Sequence, residues 1–525
     1  MNKYKVWISF VLILVMLAAT FTLVNAGTAK APEKILTEAT FSDPRTLNPI
    51  MMEDTASSDI IKRCNAALLK YDKNINLVPY AAESMPTVSK DGKTITFKLR
   101  KDIKWHDGVE FTSADVKFTY DMILDPDVMS PRYGDFLSID KIETPDKYTV
   151  VFKLKKADSI ILHEFQNEYL IPKHIWEKED KKTLKANPKS RNLIGIGPFK
   201  FVEWKTAERV VLVKNPDFFY EDVKLDKYII SITPSTATAL IKLEKGEANY
   251  VQVPEAEVAR IKKLPGIKVI TVQAPVFDYI GYNTKTPFFS DKRVRQAIAH
   301  AVNKNAFAKG IYKGLATPAE TSYPPAFSMH EKNVRTYNYD LNMAKKLLDE
   351  AGWKVGKDGI REKDGVKFKV SCVTNKGNVM REKAIVLLQS ALKPLGIAVE
   401  PRILEWNTMW EKYVDIGKYE MVYGGMTLSL HGNQDGLWHS DPMIGYFNKG
   451  RYANPKLDEI WDLARVEFDV KKQNKLYSDA QKMLADDQPW TFTVYRTTSF
   501  AVKNNVYPTV YDILEDCDFY KWDIK

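Results

Sequence analysis

The stretch DGKTITFKLRKDIKWHDGVEFTSADVKFTY, residues 91–120, contains the signals for a turn, a strand and a capped helix in close succession. Asp91-Gly92 is typical of a tight turn, and the apolar residues that alternate with polar ones from 95 to 99 predict a half-buried strand. Thr112-Ser113-Ala114-Asp115 has the spacing of a capping box, which predicts the start of a helix. A second alternating run at 148–154 predicts another strand. We therefore expect a small α+β unit in this part of the chain.

The rest of the chain is predicted to be mixed α and β. After a predicted hairpin at 200–213 and a helix at 234–246, longer amphipathic helices alternate with strands from Asp291 onward, which is typical of an α/β lobe. The predicted helices are 292–302, 341–351, 379–395 and 457–468, and the strands between them are 367–374 and 397–404. Since 525 residues exceed what one hydrophobic core usually supports, we expect two or more lobes.

The N-terminus has the layout of a secretory signal. Lys3 and Lys5 precede an apolar run at 6–24, and Val24-Asn25-Ala26 provides small residues for cleavage after Ala26. The alternative is an uncleaved membrane anchor, because the run could just span a bilayer. The first cysteine is Cys64, far from the cleavage point, so a lipoprotein is not expected.

Composition excludes several classes of protein. The net charge is +10, but acids and bases are interleaved, as in KEDKK at 178–182, so no basic stripe for nucleic acid is present. Three scattered cysteines predict neither a disulfide framework nor a zinc site.

The sequence contains no recognisable catalytic motif. GxSxG, HExxH, a Walker-type loop and GxGxxG after a strand are all missing. His431 and His439, with Asp435 and Asp441 nearby, suggest a metal or general-base site only as an alternative, because third and fourth ligands have no recognisable spacing. We expect no catalytic residue, no metal and no cofactor.

Motifs spread over the chain resemble the bacterial extracellular solute-binding proteins of family 5, which include dipeptide- and oligopeptide-binding proteins. Besides 91–120, they are AAES (81–84), IPKH (171–174), GIGPFKFVEW (195–204), NPDFFY (215–220), YNTKTPFFSDKRVRQAIAHAVNK (282–304), AKKLLDEAGW (344–353) and GRYANPKLDEIWDLAR (450–465). Within them, Trp105, His106, Arg295 and Tyr452 are expected to hold the scaffold and not a ligand.

The resemblance implies a two-lobed α/β fold, similar to the large type II periplasmic binding proteins, with an extra α+β subdomain in the first lobe and a hinge of two crossing strands. The expected parts are a signal peptide at 1–26, a first lobe with the inserted subdomain at 27–275, a second lobe at 276–490, and a return to the first lobe at 491–525.

The implied function is that of the substrate-binding protein of an ABC importer. It would capture dipeptides or oligopeptides by hinge closure and deliver them to the permease subunits in the membrane, without catalysis. We expect a monomer in the periplasm or on the outer face of the cytoplasmic membrane. The alternatives are an oligosaccharide receptor of the same family, a sensor that presents ligand to a signalling partner, a hydrolase, and a nickel or haem receptor.

The segment 419–441 resembles the family's ligand-anchoring loop but departs from it. Peptide-binding members have a tryptophan and, three residues later, an aspartate that pairs with the peptide's α-amino group; here Met426 and Ser429 occupy those positions. A serine cannot neutralise an ammonium. Asp435 is the nearest replacement, and His431 offers only a partial charge.

Other candidate ligand contacts come from aromatic residues and from the first lobe. Trp406, Tyr423 and Trp438 could pack against a peptide or, as the sugar alternative requires, stack on a sugar ring. Asp43, Arg45 and Asn48 lie in FSDPRTLNP, a strand end that the family places at the cleft, and Arg45 could bind a carboxylate. The predicted ligand-binding residues are therefore Asp43, Arg45, Asn48, Trp406, Tyr423, Met426, Ser429, His431, Asp435 and Trp438.

Overall fold

The structure is a computed structural model that describes residues 32–40 and 43–525. The predicted signal peptide, 1–26, lies outside the described residues. Among the helices that are described, none has the length and apolar character needed to cross a bilayer.

Strands and helices alternate along most of the described chain. Strands β1–β12 are Ile35–Thr40, Leu69–Tyr71, Leu77–Pro79, Thr87–Val88, Thr94–Lys98, Ile139–Asp146, Thr149–Leu154, Phe199–Lys205, Arg209–Lys214, Lys227–Ile232, Tyr250–Val253 and Ile267–Tyr282. Strands β13–β24 are Ala316–Pro318, Lys354–Val355, Arg361–Lys363, Val366–Lys367, Lys369–Asn375, Ala398–Leu404, Met421–Thr427, Trp490–Lys503, Val506–Tyr507, Val510–Tyr511, Glu515–Asp516 and Asp523–Ile524.

Helices α1–α14 are Thr55–Cys64, Ser113–Leu124, Ile161–Asn167, Lys173–Trp176, Thr236–Lys245, Glu255–Ile261, Lys292–Ala301, Lys304–Ala306, Leu341–Glu350, Val379–Leu392, Trp406–Met409, Asp435–Trp438, Pro455–Val466 and Val470–Asp487. Short 3-10 or π turns occupy Pro49–Met51, Tyr133–Phe136, Lys181–Ala186, Pro188–Arg191, Phe307–Ile311, Lys393–Leu395, Trp410–Val414 and Phe519–Lys521.

One mixed sheet runs through the molecule. Its order is β18-β17-β19-β12-β20-β11-β1-β10-β9-β8, and β13 also pairs with β20. The antiparallel pair β12–β20 at its centre extends from Ile267 opposite Lys503 to Gly281 opposite Trp490, with a bulge between Gln273 and Phe277. We call the part around β1 and β8–β11 the first lobe and the part around β17–β19 the second lobe, which together give the two-lobed α/β fold. The lobe limits at 275 and 490 stay a prediction.

The α+β unit predicted from residues 91–120 is present. Strands β4–β7 form a separate sheet in the order β4-β5-β7-β6, and α2 packs against β6 and β7. Both hydrogen bonds of the capping box between Thr112 and Asp115 are formed at the start of α2. We call this part the inserted unit; its core contains Phe97, Tyr120 and Phe152.

Each lobe has a core of its own. The second-lobe core includes Ile298, Leu388 and Met421. Tyr228 and Trp522 lie in the core beside β8–β10, so the last residues of the chain pack there.

Arg295 is buried in the second lobe, as expected for a scaffold residue. Its guanidinium donates hydrogen bonds to the backbone carbonyls of Phe289, Asp487 and Gln488. The Asp487 and Gln488 carbonyls lie at the end of α14, where helical hydrogen bonds run out. Arg295 therefore joins α7 to the segment that leads into β20.

We predict that Arg295→Met lowers the free energy of unfolding by about 3 kcal/mol, because it leaves several buried carbonyls without donors. Urea denaturation of the two proteins measures the difference. Arg293→Met is the matched control, since Arg293 is exposed and pairs with Asp291 in its own turn. Equal stability of Arg295→Met and the control would contradict this role.

Candidate functional site

The carboxyl ends of two groups of parallel strands meet near the middle of the β12–β20 pair. In the first lobe, β11 is parallel to β1 and ends at Val253 opposite Ser499, which itself lies opposite Thr271 of β12. In the second lobe, β19 is parallel to β17 and ends at Thr427 opposite Val276. Ligands of open α/β sheets bind outside the carboxyl ends of the strands. The gap between the two strand edges is therefore the candidate site, which we call the central cleft.

A cavity of about 380 Å³ lies on the first-lobe side of the central cleft. Gln252, Glu255, Arg496 and Thr498 line it together with the ends of β1 and β11. A second cavity of about 240 Å³ adjoins it, since Gln252 lines both. The lining is polar and charged, which suits a ligand with hydrogen-bonding groups.

A charged group occupies the floor of the central cleft. Asp278 of β12 is buried, and its Oδ2 accepts a hydrogen bond from the Tyr312 hydroxyl. Burial raises the pKa of Asp278, and the positive charges of Arg496 and Arg381 partly offset this. Arg496 in turn donates to Glu255 at 3.2 Å, so its charge is shared between the two acids.

The inserted unit contacts the second lobe directly through residues 158 and 159. The Ser159 N–H donates to the Arg465 carbonyl at 2.8 Å, and the Ser159 hydroxyl donates to the same oxygen at 2.9 Å. Gln473 Nε2 donates to the Ser159 hydroxyl at 2.9 Å, and the Asp158 carboxylate lies 3.5 Å from Arg465 Nη1. We call these four residues the interlobe clasp, because they join the inserted unit to the second lobe at a place separate from the β12–β20 pair, whose two strands we call the hinge strands.

The turn at Asp91-Gly92 packs against the second lobe beside the clasp. Gly92 has φ of +68°, and a Cβ atom there would lie 2.8 Å from both Ala157 and Phe468. Glycine is therefore required at this position by the backbone and by the close approach of Phe468.

A pair of histidines lies between the lobes. The rings of His163, in α3, and His431, in the second lobe, are 6.1 Å apart, and His163 Nδ1 shares a 2.7 Å hydrogen bond with the Tyr71 hydroxyl. Burial lowers the pKa of His163 to about 3 and that of His431 to about 4, and the Arg465 charge adds to the effect on His431. Both imidazoles are therefore neutral at pH 7.

The first-lobe residues predicted to bind ligand have different surroundings. Asp43 accepts hydrogen bonds from Trp204 Nε1 at 2.8 Å and from the Ala207 N–H at 2.6 Å, so it holds the β8–β9 hairpin. Asn48 is fully buried, and its amide nitrogen is 3.4 Å from the Ser190 hydroxyl. The Arg45 side chain is exposed.

Two of the predicted aromatic residues lie in packed cores. Tyr423 is 1% exposed, and its hydroxyl is 3.1 Å from the Thr493 hydroxyl. Trp438 is fully buried, donates to Gln434 Oε1 at 2.9 Å and packs on Trp490. Trp406 is 52% exposed, just beyond the carboxyl end of β18.

Asp435, the predicted partner of a ligand ammonium, already has an ion pair. Arg465 donates to Asp435 Oδ2 through Nε at 2.9 Å and through Nη2 at 2.6 Å. Its role as an amine anchor stays a prediction, and it would require a ligand to compete with this guanidinium. Met426 is partly buried beside β12, and Ser429 is exposed.

Sequence reasoning missed the charged residues of the cleft floor and the clasp. Asp278 had a signal that could have been recognised, because a lone acid inside the apolar strand VFDYIGY is costly unless it has a partner or a task. Arg381, Arg465 and Arg496 had no such signal, since each occurs in an ordinary amphipathic or alternating segment.

Within the part of the chain that the structure describes, no three histidine, cysteine or acidic side chains are arranged to hold a metal ion. His439 Nδ1 accepts the Asp441 N–H at 3.0 Å, and its Nε2 lies 3.7 Å from Asp462. His431 thus lies near Arg465 of the clasp, whereas His439 lies next to Asp462 of α13.

Comparison with known proteins gives a consistent result. The family model "Bacterial extracellular solute-binding proteins, family 5 Middle" matches residues 76–443. The oligopeptide-binding protein AppA of Bacillus subtilis is 31% identical over 477 residues, covering 90% of this chain and 88% of AppA. A putative ABC transporter peptide-binding protein of Brucella ovis is 30% identical over 426 residues, covering 80% and 79%.

Two solved structures are similar over almost the whole chain. The structure of Bacillus subtilis AppA in complex with a nonapeptide matches with a TM-score of 0.72, covering 94% of this chain and 100% of AppA. The structure of DppA from Helicobacter pylori in complex with the peptide STSA is 26% identical, with a TM-score of 0.70, and covers 93% and 98%.

We predict that Asp158→Asn increases the radius of gyration, because the clasp loses its attraction to Arg465 while the hydrogen bonds of Ser159 remain. Small-angle X-ray scattering without ligand measures the change. Asp140→Asn is the control, since Asp140 is an exposed acid on β6 of the inserted unit. An unchanged scattering profile for Asp158→Asn would show that the Asp158–Arg465 ion pair does not influence closure.

The pair His163 and His431 predicts that the protein loses stability as the pH falls. The pKa of His431 is about 4 in the folded protein and about 6.5 in the unfolded chain, so below pH 6.5 the unfolded chain binds the proton more strongly. The contribution of neutral His431 to the free energy of unfolding is therefore present at pH 7 and is lost toward pH 4. In His431→Gln the decrease in unfolding free energy between pH 7 and 5 should be smaller by about 1 kcal/mol. Denaturant titrations at both pH values measure this, with His300→Gln as the control. Identical pH profiles for wild type and His431→Gln would contradict the prediction.

Proposed function

The chain belongs to the bacterial extracellular solute-binding proteins of family 5, and on that premise we propose that it captures peptides in the central cleft for an ABC importer. The bound peptide is delivered to the permease subunits in the membrane. Similarity to AppA and to the Brucella ovis protein over most of both chains supports the peptide as ligand. The observation that carries the proposal is the convergence of both carboxyl strand edges on the middle of the β12–β20 pair.

Capture works by closing one lobe on the other. The β12 bulge between Gln273 and Phe277 interrupts the ladder between the lobes, which makes it the natural place for bending. Closure brings together the two edges of the cleft, and the interlobe clasp, which is formed in this structure, holds the inserted unit against the second lobe. Ligand burial then supplies the binding energy, and no covalent bond is made or broken.

Of the residues predicted from the sequence, we propose that Arg45, Trp406, Met426 and Ser429 contact the ligand. The Arg45, Trp406 and Ser429 side chains are exposed and that of Met426 is partly buried, so a ligand can reach them, which supports the assignment. Asp43, Asn48, Tyr423 and Trp438 are held by contacts within the protein and act as supports of the cleft wall.

The protein is proposed to act outside the cytoplasmic membrane. Members of the family are extracellular solute-binding proteins, and the signal-like N-terminus supports export with cleavage after Ala26 and no lipid anchor. The proposal includes no catalytic step, in keeping with a family of binding proteins.

An oligosaccharide is the second candidate ligand. The supporting observation is Trp406, whose half-exposed indole lies at the second-lobe edge of the cleft with Trp410 at 5.6 Å. Exposed indole faces stack on the apolar faces of sugar rings.

The test is titration of the mature protein, residues 27–525, with a synthetic library of peptides of two to nine residues and with a pool of oligosaccharides. We expect the peptide library to change the tryptophan fluorescence and to lower the radius of gyration, because the lobes close on the ligand. A response to the oligosaccharides alone would replace peptide by sugar as the ligand. No response to either pool would contradict the proposed function.

A further inference from the structure

The two histidines between the lobes lie where the inserted unit rests on the second lobe. Helix α3 is part of the inserted unit, because the ring of its Phe165 packs on Phe97 and Phe152, with centroids 5.0 Å and 4.6 Å away. His163 lies on the same helix, and its ring centroid is 6.1 Å from that of His431 in the second lobe. A movement that takes the inserted unit away from the second lobe therefore separates the two imidazoles.

A neutral partner holds His163 at this contact. Its Nδ1 shares a hydrogen bond of 2.7 Å with the Tyr71 hydroxyl. Tyr71, at the end of β2, lies in one apolar cluster with Leu437 and Tyr477 of the second lobe. Burial, with the nearby charge of Glu164, raises the pKa of Tyr71 well above its usual value. The hydroxyl therefore keeps its proton and cannot balance a positive charge on the imidazole.

The backbone decides which nitrogen of His431 carries the proton. The Asn433 N–H donates a hydrogen bond to His431 Nδ1 at 3.1 Å. Since a backbone N–H can only donate, this nitrogen has no proton and the neutral ring carries its proton on Nε2. A second proton would set two donors against each other and break this bond in the loop that leads to α12.

The charged and titratable groups around the pair offer little compensation for a positive charge. They are Asp158 before α3, Glu164 on α3, Tyr71 on β2, Asp435 on α12, Arg465 on α13 and Tyr477 on α14. Arg465 is a cation and already pairs with Asp158 and Asp435. Burial and the charge of Asp135 raise the pKa of Glu164 to about 7, so this acid is largely neutral below that pH. Protonated imidazoles would thus add positive charge beside Arg465.

Proton uptake therefore favours separation of the inserted unit from the second lobe. With the clasp formed, as in this structure, burial lowers the pKa of His163 to about 3 and that of His431 to about 4. When the two bodies separate, both rings face water, where the pKa of imidazole is about 6.5. Neutral histidines thus stabilise the contact fully at pH 7, and this stabilisation decreases below pH 6.5. Between pH 7 and pH 5 the ratio of separated to joined molecules should rise by about tenfold for each histidine.

We infer that His163 and His431 form an acid-sensitive contact, which we call the histidine latch, that holds the inserted unit on the second lobe at neutral pH and releases it in acid. The Ser159 hydrogen bonds of the interlobe clasp lie beside the latch and involve no group that titrates in this range. Release opens the central cleft, so mild acid lowers the affinity for a ligand buried there. The latch is independent of what that ligand is.

The test is small-angle X-ray scattering of the mature protein without ligand at pH 7 and at pH 5. Wild type should have the larger radius of gyration at pH 5. The double variant His163→Gln, His431→Gln cannot take up these protons and should keep at pH 5 the radius that it has at pH 7. Far-UV circular dichroism at both pH values distinguishes opening from unfolding, because opening leaves the helix content unchanged.

Two further variants test the charge itself. His431→Lys places a permanent positive charge at the contact and should show, already at pH 7, the larger radius that wild type has at pH 5. His300→Gln is the matched control, since His300 lies on α7 with its Nδ1 2.8 Å from the Asn338 carbonyl, and it should behave as wild type does at both pH values.

Binding gives a second measurement. For any library peptide that binds, the affinity of wild type should decrease by about tenfold or more between pH 7 and pH 5, and that of the double variant by less. Because both proteins are titrated with the same peptide at the same pH, protonation of the peptide cancels in the comparison.

Three results would overturn the histidine latch. They are an equal radius of wild type at the two pH values, an equal increase in wild type and the double variant, and a wild type that already has the radius of His431→Lys at pH 7. None of them touches the proposed function, which fails only if neither the peptides nor the oligosaccharides bind.

Discussion

The antiparallel pairing of β12 with β20 is the interaction on which the rest of the structure depends. The first-lobe half of the pair borders β11, and the second-lobe half of β12 borders β19, so one ladder belongs to two separately packed bodies. Ring stacking of Tyr279 on Trp490, with centroids 3.9 Å apart, fixes the pair on the second-lobe side. Because both strands continue through the bulge, the lobes can rotate against each other while the backbone hydrogen bonds on either side persist.

The same pairing determines where polar chemistry can occur. Strands β11 and β19 both end beside the middle of the β12–β20 pair. The floor of the central cleft at this point consists of side chains from β12 and β20. Asp278 is buried at this point. The Tyr312 hydroxyl and the positive charges of Arg381 and Arg496 partly offset the cost of burying its carboxylate.

Closure involves more than the hinge. The interlobe clasp and the neutral histidine pair lie on the side where the inserted unit meets α13 and α14, away from the hinge strands. Arg465 has two partners there, since its guanidinium pairs with Asp435 inside the second lobe and with Asp158 of the inserted unit. A guanidinium that is already anchored on one lobe loses little conformational entropy when the other lobe arrives.

The amino-acid sequence by itself determined the local elements and the family. Thr112 and Asp115 predicted a capped helix, and the alternation up to Leu99 predicted a strand, because caps and strand faces are set by residues a few positions apart. Motifs over the whole chain led to the two-lobed fold.

Only the tertiary structure decided which polar side chains meet: Asp435 pairs with Arg465, and Asp278 lies beside Arg381 and Arg496. Tyr423 and Trp438 lie in cores for the same reason, since alternation shows that a residue has a buried face but not whether a ligand or a neighbouring strand covers it. Contacts between residues tens to hundreds of positions apart depend on how the sheet is ordered, and no local pattern records that order.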